Sequence, residues 1–198
     1  MATGLIQVLA DGSSAGFSVL GQGAGGWRTT GSVVDADDAD GPLVSLTTPH
    51  FSGARAGLAS AEAFYQRRWA QPATFRIKTG SSVTAIRIVV GLSSAPGAKQ
   101  QTPVSHMAAF VYDTVAHGTA YWRAVTSDGS GTLTTTATTQ GIATSTLYTF
   151  TLDMADSANV KFYADTTLLA THTTNLPTAT EPMRCGVWIA EIATGGFS

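Results

Sequence analysis

From Val83 onward the hydrophobic residues fall into short runs, AIRIVVGLSS, MAAFVYDT, TAYWRAV, YTFTLDM, NVKFYAD and MRCGVWIAEI. Turn formers separate them, and no helix-sized amphipathic stretch lies between. In ATFRIK, Phe75 and Ile77 alternate with Arg76 and Lys78, the period of two of a half-buried strand. Ile86 and Ile88 flank Arg87 in the same way, and Val160 and Phe162 alternate with Lys161 and Tyr163. Asp128-Gly129-Ser130-Gly131 predicts a hairpin, since glycine tolerates positive φ. Residues 153–159 predict a second turn, and the threonines between Thr126 and Thr151 suit a pleated surface. One helix is expected, over GLASAEAFY at 57–65.

Many short strands joined by turns predict an all-β protein, an antiparallel jelly-roll β-sandwich. Two zones are expected within one globular domain. Residues 1–60 are Gly-rich, with short apolar pieces LIQVL, FSVL and LVSL, and read as a partly extended arm or added strands. Residues 61–198 read as the sandwich itself.

Composition narrows the partners. Charged residues make up 12% of the 198, about half of the roughly 25% usual for soluble domains. So little charge protects a surface poorly against association, which points to life in an assembly. The net charge is −2 and the densest basic cluster is Arg67-Arg68. Nucleic acid is not expected as a partner, because displacing counterions from phosphates takes a basic patch. No apolar run approaches the roughly 20 residues that span a bilayer, so no membrane partner is expected. The start, MATGLIQVLADGSS, lacks the basic and apolar regions of a secretion signal, and synthesis in the cytoplasm is expected. Cys185 is the single cysteine and is expected to be a small buried hydrophobe.

Short motif matches carry little chemistry. Gly21 to Gly26 spells G-x-G-x-x-G, but WRTTGSVVD follows where the dinucleotide fingerprint needs a helix. Gly12 to Gly16 spells G-x-S-x-G, again without the helix of a nucleophile elbow. His50, His106, His117 and His172 have no metal-type spacing, and His172 reads as structural or exposed. Asp35, Asp37, Asp38 and Asp40 are the one acidic cluster and the candidate calcium ligands. Alignment of an EF-hand on Gly41 fails, because Ala36 and Thr47 fall at the first and twelfth positions. Glycosidase chemistry needs two carboxyl groups about 5 to 9.5 Å apart. With only Glu62, Glu181 and Glu191 as glutamates and no E-x-D-x-x-E element, no enzyme activity, no catalytic residue and no cofactor are expected. Trp27, Trp69, Trp122 and Trp188 suit core packing, or stacking on sugars. In Tyr121-Trp122-Arg123, period two sends Trp122 to the face opposite its neighbours. This run is the interface candidate, since Tyr, Trp and Arg are favoured at contacts.

The distributed pattern FRIKTGSS, RIVVGLSS, AAFVYDT, AYWRAVTSDGSG, YTFTLDMADSANVKFYAD and LLATHTTNLPT resembles the concanavalin A-like jelly-roll domains of tailed-bacteriophage structural proteins. FYAD followed by LLATHTTNLP is similar to their F-Y-x-D-G-x-x-V-x-x-x-x-x-N-L-P hairpin, with Thr166 where glycine is common. The first 60 residues lie outside the resemblance. It implies a fold and a setting, not a reaction. The setting is the virion, after synthesis in the host cytoplasm. The role it favours is a capsid decoration or cement protein that binds the major capsid protein or other virion proteins and stabilises the shell, since no heptads or shaft repeat are seen. The alternative is a tail fibre or spike module recognising a host glycan. By analogy with such appendages, a homo-oligomer, a trimer, is expected.

Overall fold

A computed structural model of the chain describes residues 5–8, 17–19, 32–38, 41–47, 55–60, 65–95, 105–118 and 120–192. Before residue 56 it describes backbone only. The strands are β1 (Leu5–Val8), β2 (Phe17–Val19), β3 (Ser32–Asp38), β4 (Gly41–Thr47), β5 (Arg55–Ser60), β6 (Ala73–Thr79), β7 (Ile86–Ser93), β8 (His106–Asp113), β9 (Tyr121–Asp128), β10 (Leu133–Gly141), β11 (Leu147–Asp153), β12 (Val160–Ala164), β13 (Thr167–His172) and β14 (Arg184–Glu191). One 3₁₀ turn, Arg67–Trp69, precedes β6.

The strands form two seven-stranded sheets. Sheet A runs β13-β12-β11-β6-β1-β4-β3 and sheet B runs β10-β9-β8-β7-β14-β5-β2. Every pairing is antiparallel. The architecture is the jelly-roll β-sandwich expected from the strand pattern. β1 lies between β4 and β6 in sheet A, and β2 borders β5 at the edge of sheet B.

The helix expected over 57–65 is not formed. Residues 55–60 are β5, paired to β14 with Leu58 opposite Val187 and Ala59 opposite Gly186. Tyr65 makes an isolated bridge to Met183, and 61–64 lie outside the described residues. Helix propensity in an Ala-rich stretch is worth only tenths of a kcal/mol per residue. Here a full ladder and the burial of Ala56, Leu58 and Ala59 outweigh it.

The expected hairpins form. Between β9 and β10, Asp128 Oδ1 accepts the Ser130 N–H at 2.9 Å, and Gly129 and Gly131 hold φ of 78° and 105°. Between β11 and β12, Asp153 and Asp156 accept the Ala155 and Ala158 N–H groups at 2.9 and 2.8 Å. Between β12 and β13 the positive φ, 50°, falls on Asp165 and not on Thr166. The threonine is therefore no obstacle to the turn, because aspartate tolerates this conformation.

Rings from the two sheets meet in the core. Phe110 of β8 stacks on Phe150 of β11 with centroids 4.2 Å apart. Phe162 meets Phe110 edge-on at 5.3 Å, and Trp122 meets Phe150 at 4.9 Å. At one edge of the sandwich His172 joins the sheets. Its Nδ1 lies 2.9 Å from Thr126 Oγ1 on β9, and its Nε2 3.0 Å from Thr136 Oγ1 on β10. Thr134 Oγ1 donates to the Thr174 carbonyl at 3.1 Å and accepts from Asn175 Nδ2 at 3.1 Å. The inward threonines of β10 thus form a polar seam with residues 172–175.

The outer faces differ. On sheet A, β6, β11 and β12 keep a strict alternation of buried and more exposed positions. On sheet B, β7 and β8 bury all but one residue each, and β14 buries five of its eight. Val89, Met107, Ala109, Val111, Val125 and Trp188 form a second apolar cluster there, separate from the core between the sheets.

Two predictions follow from the packing. Phe150→Ala empties the centre of the ring cluster and lowers the unfolding free energy by about 3–5 kcal/mol, read from the shift in urea midpoint. Burial holds the His172 pKa below its ordinary value. As pH falls below about 6.5, the unfolded chain takes up a proton that the folded imidazole resists, so stability falls. This loss ends once the folded imidazole also protonates. His172→Gln flattens that part of the profile, measured by denaturation at a series of pH values.

Candidate functional site

The outer face of sheet B is built in rows fixed by register. In one row Ala59, Gly186, Gly91 and Ala109 lie side by side on β5, β14, β7 and β8. The row has to be small. A Cβ on Gly91 would sit 2.6 Å from Ala109 Cα, and one on Gly186 would sit 2.9 Å from the Leu58 carbonyl and 3.2 Å from Trp188 Cζ3. The adjacent row carries Trp188, Val89, Val111, Arg123 and Ala137. Trp188 is buried, and its Nε1–H has no hydrogen-bond partner.

Chemistry gathers at one end of this face. Arg87 on β7 lies opposite Asp113 on β8. Its Nε donates to Asp113 Oδ2 at 2.5 Å, and its second guanidinium nitrogen contacts the same oxygen. Asp113 Oδ1 accepts the Val115 and Ala116 N–H groups at 2.9 and 2.8 Å. Asp113 is only 2% exposed, so the ion pair is a buried one whose carboxylate is satisfied on both oxygens. Such pairing is what keeps a buried charge tolerable.

Beside the pair, Tyr121 and Arg123 project from β9. Tyr121 is 52% exposed. Gly141 lies opposite it on β10, so one flank of the ring has no side chain. Arg123 is half-buried, and its cross-strand neighbours are Val111 and Ala137. No acidic residue faces it across either strand. His117, exposed on the following turn, has its pKa lowered by lost hydration of the imidazole and then by the like charge of Arg123. Val115 on the same turn is also exposed. The arrangement offers an aromatic face, an unopposed guanidinium and a neutral imidazole beside an ion pair that is internally balanced.

The residues singled out from sequence separate in space. Of the Tyr121-Trp122-Arg123 run, Trp122 is fully buried among Tyr112, Tyr148 and Phe150. It serves the core, and any contact made by this run falls to Tyr121 and Arg123. Asp35, Asp37 and Asp38 lie on β3 opposite Val44, Pro42 and Gly41. Their side chains, and Asp40 altogether, lie outside the described residues, as do Trp27, the Trp69 side chain and both glycine-rich motif matches. Cys185 is half-buried against the core, with its thiol pushed up to about 11 by burial, so it stays protonated and unreactive. Among the described residues no three metal-binding side chains cluster, and no helix is long and apolar enough to cross a membrane. Arg87, Asp113 and His117 were not singled out from sequence. Arg87 and Asp113 are 26 positions apart and meet only through the β7–β8 register.

Comparison with known proteins gives a family and a fold. A family model described as SO2946-like, C-terminal domain, matches residues 42–198. No curated protein matches the sequence. Among solved structures, a conserved carbohydrate esterase of the Shiga toxin-encoding bacteriophage phi24B is similar at TM-score 0.54 and 15% identity, over 96% of this chain and 90% of that one. The potassium-bound carbohydrate recognition domain of Emp46p is similar at TM-score 0.54 and 10% identity, over 83% and 82%. A native glycosidic hydrolase is similar at TM-score 0.57 and 10% identity, over 96% and 84%. Identities this low establish the jelly-roll fold and nothing further.

Removing the like charge tests the electrostatics of the site. In Arg123→Gln the His117 pKa rises toward the ordinary histidine value, while that of His172, shifted by burial alone, does not move. Imidazole proton shifts followed by NMR across pH 5–8 read both residues at once.

Proposed function

The chain belongs to the SO2946-like C-terminal domain family, and on that premise we propose that it is a non-enzymatic glycan-recognition module. The observation that carries the reading is the exposed Tyr121 ring beside the unopposed Arg123, at the end of sheet B's outer face. A tyrosine ring presents an apolar face to sugar C–H groups and a hydroxyl to sugar oxygens. A few polar groups placed around an apolar surface are how small-molecule sites set orientation. The shared fold of a carbohydrate recognition domain, a glycosidic hydrolase and a phage carbohydrate esterase supports a sugar as the ligand.

Binding without turnover fits the carboxylate of this site. Asp113 lends both oxygens to Arg87 and to two backbone N–H groups. It has no lone pair directed at a ligand and no free role as acid, base or nucleophile, and glycoside hydrolysis needs two such groups.

We place the module on a tailed-bacteriophage particle, made in the host cytoplasm and assembled as a homotrimer at the tail, where it reads host surface carbohydrate. The pattern over residues 75–178 and the fold shared with the phage esterase support this setting. A second reading is favoured by the 12% charge content, which suits a surface covered by protein. In it the chain is a decoration or cement protein that stabilises the capsid because it binds the assembled shell and not its parts.

Titration against a panel of purified bacterial surface polysaccharides tests the glycan reading. At least one binds, and Tyr121→Ala weakens it about tenfold with unfolding temperature unchanged. Absence of binding across the panel overturns it. Immunogold labelling of particles separates the placements: label at the tail supports the receptor module, and label spread over the head supports the cement protein.

A further inference from the structure

We infer that the Tyr121–Arg123 end of sheet B takes glycans that carry a carboxylate, with the Arg123 guanidinium on the acid group and the Tyr121 ring against the sugar. The inference deepens the glycan reading above and rests on it.

Charge sets the first requirement. Arg87 and Asp113 balance each other, and both carboxylate oxygens of Asp113 are occupied. Among the described residues the acid beside this site is therefore spent on Arg87 and leaves nothing for Arg123. Its cross-strand neighbours, Val111 and Ala137, supply no counter-charge from either side. Among the described residues nothing else offers it one, and a ligand's acid group would. A half-buried guanidinium that faces no acid among the described residues loses hydration, so an anion that meets it recovers more than one meeting an exposed lysine.

Geometry selects the kind of anion. Tyr121 and Arg123 are two residues apart on one strand and project from the same face, roughly 7 Å apart along the chain. That separation matches a pyranose ring against the tyrosine with an acid substituent reaching the guanidinium. Gly141 opposite Tyr121 leaves the flank of the ring open for the sugar. A guanidinium forms two parallel hydrogen bonds to a planar carboxylate, and one cation balances its single charge. A phosphate monoester brings about −1.5 to −2 charges, more than this end of the face offsets. His117 on the adjoining turn, kept from protonating in part by Arg123 itself, adds a neutral donor or acceptor for sugar hydroxyls.

The experiment uses the full chain and polysaccharides in matched pairs. Each acidic bacterial surface polysaccharide, with polygalacturonate as a defined member, is titrated in native form and after chemical reduction of its carboxyls to alcohols. Neutral polysaccharides run alongside. The expected result is binding to native acidic members that falls at least tenfold on carboxyl reduction and at least tenfold in Arg123→Gln. Arg123→Lys recovers part of it, and added salt weakens the native interaction. Because carboxyl reduction alters only the ligand, the test does not depend on the variants folding. Equal binding of native and reduced forms overturns the inference and leaves the glycan reading standing. Loss on reduction with Arg123→Gln unaffected overturns the assignment to this site. No binding to any member, acidic or neutral, overturns both.

Discussion

The constraint on which the rest of the structure depends is that the central strands of sheet B, β7, β8 and β14, are buried on both faces. An antiparallel sheet ordinarily buries one face and wets the other, and sheet A does so. Sheet B instead packs Phe110, Trp122, Val187 and Ile189 inward and Val89, Val111, Val125 and Trp188 outward. Strands packed from two sides leave little freedom of register, since a slip of one residue would exchange two complete apolar sets. The row Ala59, Gly186, Gly91 and Ala109 follows from the same crowding, because at two of its positions even a methyl group collides with backbone.

The ion pair of sheet B is thereby placed at the ends of its strands. A charge placed among the outward valines would need a partner inside the same dry layer. Arg87 and Asp113 meet that requirement where β7 and β8 reach the rim. Arg123 lies one row in from that pair, beside Val111, and no acid faces it across either strand. The functional character of this end thus arises from an imbalance. Among the described side chains, Arg87, Arg123 and one carboxylate share this end, and the carboxylate is committed to Arg87. The fold sets which residues face outward, and the surplus charge there is a property of this particular sequence.

Much of this was legible in the chain. Alternation at 73–79, 147–153 and 160–164 marked the strands of sheet A and their faces. The turns at Asp128–Gly131 and 153–159 showed where the chain reverses. The two-sided burial of sheet B had its own signal: β7 alternates only at Ile86-Arg87-Ile88, read above as half-buried, and then runs apolar, as HMAAFVYD and GVWIA do. Such runs mark strands covered on both sides, and the difference from sheet A was there to be read. What local pattern could not supply was pairing. The β5 segment carries helix-forming alanines, and only its ladder with β14 makes it a strand. Period two correctly divided Trp122 from Tyr121 and Arg123, yet only packing shows which side is core. Asp113 looks like a turn residue in its own neighbourhood, and it is one, through Val115 and Ala116. Its second role, neutralising Arg87, depends on a contact no short window contains.

The clasp at His172 gives the sandwich a mechanical direction. Hydrogen-bonded ladders run within each sheet, so a pull along a strand is shared by many bonds loaded together. From sheet to sheet the attachment is made by side chains, the Phe110–Phe150 stack within and the imidazole with its two threonines at one margin. A load that levers the sheets apart at that margin reaches the clasp before it reaches the rings, and meets its bonds one after another. Shear along the strands thus loads many bonds together, whereas opening from the β10–β13 side loads the clasp bonds in turn.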